Sequence, residues 1–199
     1  MGPAVPPESP CAAIIQSAKT KPKFAALLSA IGNIDVQCVD CSQYGTEGNA
    51  KALIRIDPLA IQICQVLLIP CRHCLPSCFH AYLILFNTFN TFQNKNLNEK
   101  DIETSLVHEL VHAYDYKLKR YDMFTCDGLA ASEVRAAREA ECSGEYPLQW
   151  LRDRCIRQRA TASTANLFPP LEASKSVEKV FASAVADVEP LQDSINSHS

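Results

Sequence analysis

His108-Glu109-Leu110-Val111-His112 decides the reading of this chain. The segment sits inside a predicted helix from about Glu99 to Lys119, which Asn98 can cap and Asp101 can support in the first turn. Ile102, Leu106, Val107, Leu110, Val111, Ala113 and Tyr114 form the buried side of that helix. Positions four apart lie on one helical face, a turn apart. His108 and His112 can therefore offer two imidazoles to one Zn²⁺, and Glu109 projects toward a metal-activated water as its general base. The alternative is an exposed helical face that carries this pattern by accident.

A catalytic zinc needs a third protein ligand and an open fourth position. The chain has only five His, of which His73, His80 and His198 lie far from the motif, so a carboxylate is expected. Glu133, in Ala131-Ser132-Glu133-Val134-Arg135-Ala136, follows His112 after a gap of 20 residues and falls on the next predicted helix. Asp115, Asp122 and Asp127 are weaker candidates. Asp115 is also placed to orient an imidazole from behind. A solvated Glu133 pairing with Arg135 or Arg138 is the competing reading. Tyr114 and Tyr121 are considered as oxyanion partners.

Outward from the motif, Ser9-Pro10 opens a helix to about Lys19, after a leader over 1–8. Thr20 with Pro22 opens a second helix, which ends before Gly32. Ile34, Val36 and Cys38 alternate with polar residues, and Leu53–Ile56 and Ile61–Cys64 read as two short strands. Downstream, helices are expected from Asp127 to about Cys142, from Pro147 to about Thr164, and from Leu171 to just before Pro190. A single domain over 9–190 and a polar tail over 191–199 follow. The N-terminus shows neither a secretory signal nor an Arg-rich presequence.

Residues 66–93 break the composition. They hold one formal charge, Arg72, against 40 in the other 171 residues, and four of the eight Phe. The length of Val66–Phe86 suits a spanning helix, but Pro70, Pro76, Arg72, His73 and His80 argue against one. The block is expected to be a retained intron, absent from the functional protein. Val66 can begin with a GT donor and Phe92-Gln93 can end in TTYCAG. The competing account is a genuine hydrophobic loop that docks on a membrane.

The net charge is −3, and no Lys/Arg run offers nucleic acid a footprint, so no nucleic-acid partner is expected. Ten Cys are too few for a disulfide scaffold and many for a reducing compartment. Cys38-x-x-Cys41 and Cys71-x-x-Cys74 are also weighed as a structural zinc cluster.

The run from His108 to Asp115, with Ala131–Ala136, resembles a mitochondrial inner-membrane metalloprotease family that processes the precursor of ATP synthase subunit 6 and helps assemble it. The Cys38-x-x-Cys41 pair, Ile63-Cys64-Gln65, the stretches opening at Cys142 and Cys155, and Asp187–Pro190 share the likeness, which covers most of 10–193. The resemblance implies that Glu133 is the third zinc ligand. It also implies a peripheral protein on the intermembrane-space side of the inner membrane, with disulfides and a polypeptide substrate. Lys117, Ala131 and Ala184 stand where the family usually has Cys, so a reduced disulfide set is expected. An assembly chaperone with a vestigial site is the alternative function. The expected fold is α+β: a small zincin-like metalloprotease domain, with a short sheet packed on the zinc-binding helix and further helices around it. Ile61–Cys64 is the expected edge strand for substrate pairing.

Overall fold

The computed structural model describes residues 10–32, 34–39, 52–56, 59–64, 99–118 and 120–191. The elements run α1 (Pro10–Lys19), α2 (Pro22–Ile31), β1 (Asp35–Val39), β2 (Ala52–Ile56), β3 (Leu59–Cys64), α3 (Glu99–Lys117), α4 (Cys126–Glu139), α5 (Gln149–Thr164) and α6 (Pro170–Ala186). The protein is α+β, and most of its described residues are helical.

Pro at the first helical position starts α2 and α6, where a missing N–H costs nothing. Thr20 is not the cap of α2. Lys21 holds that place without a side-chain bond, while the Thr20 hydroxyl donates back to the Ser17 carbonyl at 2.7 Å. Gly32 ends α2 at φ 75°, a conformation that favours glycine, and its N–H closes on the Leu28 carbonyl. Helix α4 begins one residue before the expected Asp127, because Thr125 caps it: its Oγ1 accepts from the Gly128 N–H at 3.1 Å. A Cβ at Gly128 would lie 2.0 Å from the Asp122 carbonyl oxygen, so this turn requires glycine.

Helix α4 stops at Glu139, short of the expected Cys142. The chain closes instead through a wider turn, with the Cys142 N–H on the Ala137 carbonyl at 2.8 Å. That turn brings Cys142 to Cys155 of α5, and the two form a disulfide with Cα atoms 6.0 Å apart. Cys126 is a buried free thiol.

The three strands order β1-β3-β2. β3 runs parallel to β1, with Asp35 opposite Ala60 and Val39 opposite Cys64. It runs antiparallel to β2, with Ala52 opposite Ile63 and Ile56 opposite Leu59. The expected edge strand, Ile61–Cys64, is therefore the centre of the sheet. Both its sides already carry a strand, so it has no free row of backbone groups for a substrate. Among the described residues, the edges of the sheet are β1 and β2.

Helix α3 is the axis of the fold. It touches α1, α2, α4, β2 and β3. One apolar cluster joins Ile15, Phe24, Leu27 and Ile31 to Ile102, Leu106, Leu110 and Tyr114, with Val36 of β1 and the preceding Ile34 against it. Leu191, expected in the tail, is buried in this cluster. A second cluster joins Ala130, Val134 and Ala137 of α4 to Ile156 and Ala160 of α5 and to Val177 and Phe181 of α6. The two clusters sandwich α4 against α3, and the polar groups discussed next lie at that contact.

Asn98, residues 66–93, residues 1–9 and 192–199, Cys41, Cys71 and Cys74 lie outside the described residues. The expected helix cap, insertion and cysteine cluster are therefore outside them as well.

Candidate metal centre

On α3, every residue from Leu106 to Asp115 is buried; on α4, every residue from Leu129 to Arg138 is. A helix enclosed on all sides carries its polar residues into the interior, where each needs a partner. At the α3–α4 contact these partners are one another. His108 and His112, one turn apart on α3, turn their Nε2 atoms to within 3.0 Å. Glu133 of α4 places Oε2 at 3.4 Å from Nε2 of His108 and 3.7 Å from Nε2 of His112. His108 is 5% exposed, Glu109 4%, His112 1% and Glu133 0%. Among the described residues, this is the group of His, Cys, Asp and Glu side chains arranged to hold a metal ion, with its ligand atoms within 4.8 Å of one another.

The reading of Glu133 as a solvated partner of Arg135 or Arg138 fails on this geometry. Glu133 is fully buried, Arg135 pairs with Asp115, and Arg138 pairs with Glu139 and with the carbonyls of Ala184 and Val185. Asp122 and Asp127 are elsewhere. The Asp122 carboxylate accepts from the Phe124 N–H, and Asp127 pairs with Lys179 at the surface.

Both carboxylate oxygens of Glu133, and Oε2 of Glu109, are buried without a hydrogen-bond partner. Orphaned carboxylate oxygens inside a protein are costly, and a cation is what would satisfy them. The protonation pattern agrees. Burial raises the Glu133 pKa, with the neighbouring His108 pulling the other way. Burial likewise pushes Glu109 up to about 8, against the pull of His108 and with help from the charges of Glu133 and Glu141. Burial alone would lower His108, but the Glu141 and Glu133 carboxylates outweigh it and hold that imidazole well above its usual range. His112 falls well below its usual value, through burial and the charges of His108 and Arg135. These shifts follow from burial and from neighbours that a bound cation would compete with, so metal binding would be coupled to proton release.

Behind the imidazoles are groups that the sequence reading did not assign. Nδ1 of His108 faces Glu141, with oxygens at 3.1 and 3.2 Å. Nδ1 of His112 is 2.7 Å from the Ser132 hydroxyl, and that hydroxyl is 2.7 Å from Oδ2 of Asp115. Asp115 does stand behind an imidazole, as expected, but acts through Ser132 and not directly. Neither tyrosine is aimed at the cluster. The Tyr121 hydroxyl, pushed up to about 12 by burial and by its bond to Asp187, donates to Asp187 Oδ2 at 2.9 Å. The Tyr114 ring lies under the guanidinium groups of Arg120 and Arg135.

The sequence profile of the Peptidase M76 family matches residues 15–192. The chain belongs to that family. Among curated members of known proteins, it is 36% identical over 110 residues to the mitochondrial inner membrane protease ATP23 homolog of Homo sapiens, an alignment covering 49% of this chain and 44% of that protein. It is 30% identical over 114 residues to the mitochondrial inner membrane protease atp23 of Sclerotinia sclerotiorum, covering 50% and 46%. For the protein of that name from Pyricularia oryzae the identity is 30% over 129 residues, covering 57% and 45%. The chain thus spans less than half the length of these relatives. No solved structure matches it. Among the described residues, no helix is long and apolar enough to cross a membrane.

Proposed function

We propose that this M76 chain is a zinc-dependent metalloendopeptidase with a zincin-like arrangement of sheet, metal helix and return helix. The observation that carries the reading is the convergence of Nε2 of His108, Nε2 of His112 and Oε2 of Glu133. A tetrahedral zinc with ligand distances of about 2.0–2.1 Å keeps its ligand atoms about 3.3 Å apart. The three separations here, 3.0, 3.4 and 3.7 Å, bracket that value. Two imidazoles and one carboxylate are the donor set of a catalytic zinc with one open position.

Zinc bound there supplies Lewis acidity for a carbonyl and lowers the pKa of a water to about 7. The chain supplies the rest. Glu109 shares the helical turn of the ligands, and its Oε2 is free to take a proton from water and deliver it to the leaving amine.

The substrate proposed is a polypeptide, specifically the precursor of ATP synthase subunit 6, cleaved at the intermembrane-space face of the inner membrane by a peripherally attached enzyme. The names of the relatives support the inner membrane as the location. The chaperone alternative needs no intact base, and the retained His108, Glu109 and His112 favour catalysis over it. Glu109→Gln should keep fold and zinc while lowering peptide cleavage by about 100- to 10,000-fold. Cleavage at the wild-type rate would remove Glu109 from the mechanism.

We also hold residues 66–93 to be a retained intron. β3 ends at Cys64 and α3 opens at Glu99, and removal of the block leaves six residues between them. That is an ordinary strand-to-helix link. Transcript sequencing across codons 65 and 94 decides it: a spliced message supports the reading, and only unspliced polysomal message overturns it.

A further inference from the structure

The hydrogen bonds behind His112 have a direction. Arg135 is buried, and a guanidinium can only donate. Its Nη1 donates to Oδ1 of Asp115, its Nη2 to the carbonyl of Glu189, and its Nε to the carbonyl of Asp187 at 3.3 Å. Asp115 therefore accepts at Oδ1, and at Oδ2 it accepts from the Ser132 hydroxyl at 2.7 Å. That uses the one proton a serine can give. The remaining contact of Ser132, 2.7 Å to Nδ1 of His112, must then be a bond donated by the ring. Nδ1 of His112 carries the hydrogen and Nε2 carries the lone pair. The far side of the ring is consistent: the 3.0 Å contact between the two Nε2 atoms needs one donor and one acceptor, and this chain makes His112 the acceptor.

We infer that Ser132 is a positioning residue, and that Arg135, anchored on the Asp187 and Glu189 carbonyls, sets through Asp115 and Ser132 the tautomer of His112 that can bind a metal. The inference rests on the zinc reading only for what the Nε2 lone pair serves. It makes the segment after α6 part of the metal centre, although that segment contributes no ligand. His108 is held differently, by a carboxylate directly on Nδ1, so the two imidazoles should respond differently to substitution.

The sharpest variant is Asp115→Asn, which preserves shape and reverses polarity. Arg135 would demand the amide oxygen, so the amide N–H would face Ser132. The Ser132 hydroxyl would turn to donate to Nδ1 of His112, and the hydrogen would move to Nε2. Long-range ¹H–¹⁵N spectra of the metal-free, full-length, ¹⁵N-histidine-labelled protein read the tautomer directly. The wild type and Ser132→Thr should show His112 protonated at Nδ1, and Asp115→Asn should show it at Nε2. Zinc affinity, measured against a chromophoric chelator, should fall about 10- to 100-fold in Asp115→Asn and in Ser132→Ala. Ser132→Thr should restore it. His112 protonated at Nε2 in the wild type would overturn the inference, as would unchanged zinc affinity in folded Ser132→Ala. That second arm decides the matter if Asp115→Asn does not fold. A wild-type chain that takes up no zinc would defeat the metal reading, and the tautomer spectra would still decide this one.

Discussion

Helices α3 and α4 differ from α5 and α6 in what they bury. The first pair encloses His108, Glu109, His112, Asp115, Ser132, Glu133, Arg135 and Arg138. Of its residues, α5 buries Ile156, Ala160, Ser163 and Thr164, and α6 buries Ala173, Ser176, Val177, Phe181 and Ala184, while the arginines of α5 are exposed or half-buried. Burying charge costs free energy, and burying methyl and phenyl groups releases it. The α5–α6 pair therefore supports α4 from behind, and α4 in turn holds Ser132 and Glu133 against α3. Substitutions in the support should change stability and leave metal binding intact; substitutions at the α3–α4 contact should do the reverse.

That contrast can be broken in several places, taken here from the largest effect downward. Phe181→Ala empties a site in the α4–α5–α6 core and removes the ring over which the Arg157 guanidinium lies, 3.5 Å from its centroid. It should cost about 3–5 kcal/mol in chemical denaturation, with one zinc still bound per folded chain. Cys155→Ser opens a link between positions 13 apart and should cost about 2–4 kcal/mol, read as a lower Tm that reductant no longer changes. Gly128→Ala forces the 2.0 Å approach to Asp122 apart and should cost about 1–3 kcal/mol. Loss of zinc in any of these while the chain stays folded would contradict the division of roles.

Asp187 gives a smaller effect with a pH signature. Burial would raise its carboxyl, but the bond from Arg120, the charge of Arg135 and the Tyr121 hydroxyl outweigh it and hold the pKa below the usual range. A depressed folded pKa contributes stability above the unfolded value, about 3.9, and loses it as pH falls through the folded one. Asp187→Asn should therefore lower stability at neutral pH and converge on the wild type as pH falls through the range of the folded carboxyl, read in urea titrations. Lys179→Ala, which removes an exposed partner of Asp127, should leave the melting curve where it is.

The contrast also separates what could be read in the chain from what could not. Helix α3 was legible because its apolar spacing and its acidic first turn are local properties, and the bounds of α1 and α2 followed from their prolines. The pairing of His108 with His112 is likewise local, one turn of one helix. The place of β3 was not: four apolar-rich residues read the same at an edge or a centre, and only the parallel pairing with β1, far away in sequence, distinguishes them. Ser132 and Glu141 were missed for the same reason. Ser132 adjoins Glu133 but looks like any helical serine until α3 is laid against it, and Glu141 lies in a turn with no periodicity to mark its direction. The role of Arg135 was not legible either, because nothing in sequence shows that α4 is enclosed on all sides.

The account turns on Glu133, whose buried carboxylate has no hydrogen-bond partner. Zinc content per chain, measured on purified wild type and Glu133→Ala after dialysis against a mild chelator, tests it most directly. The account predicts about one zinc per wild-type chain and little or none in a folded Glu133→Ala chain. A Glu133→Ala protein that retains its full equivalent of zinc would contradict it.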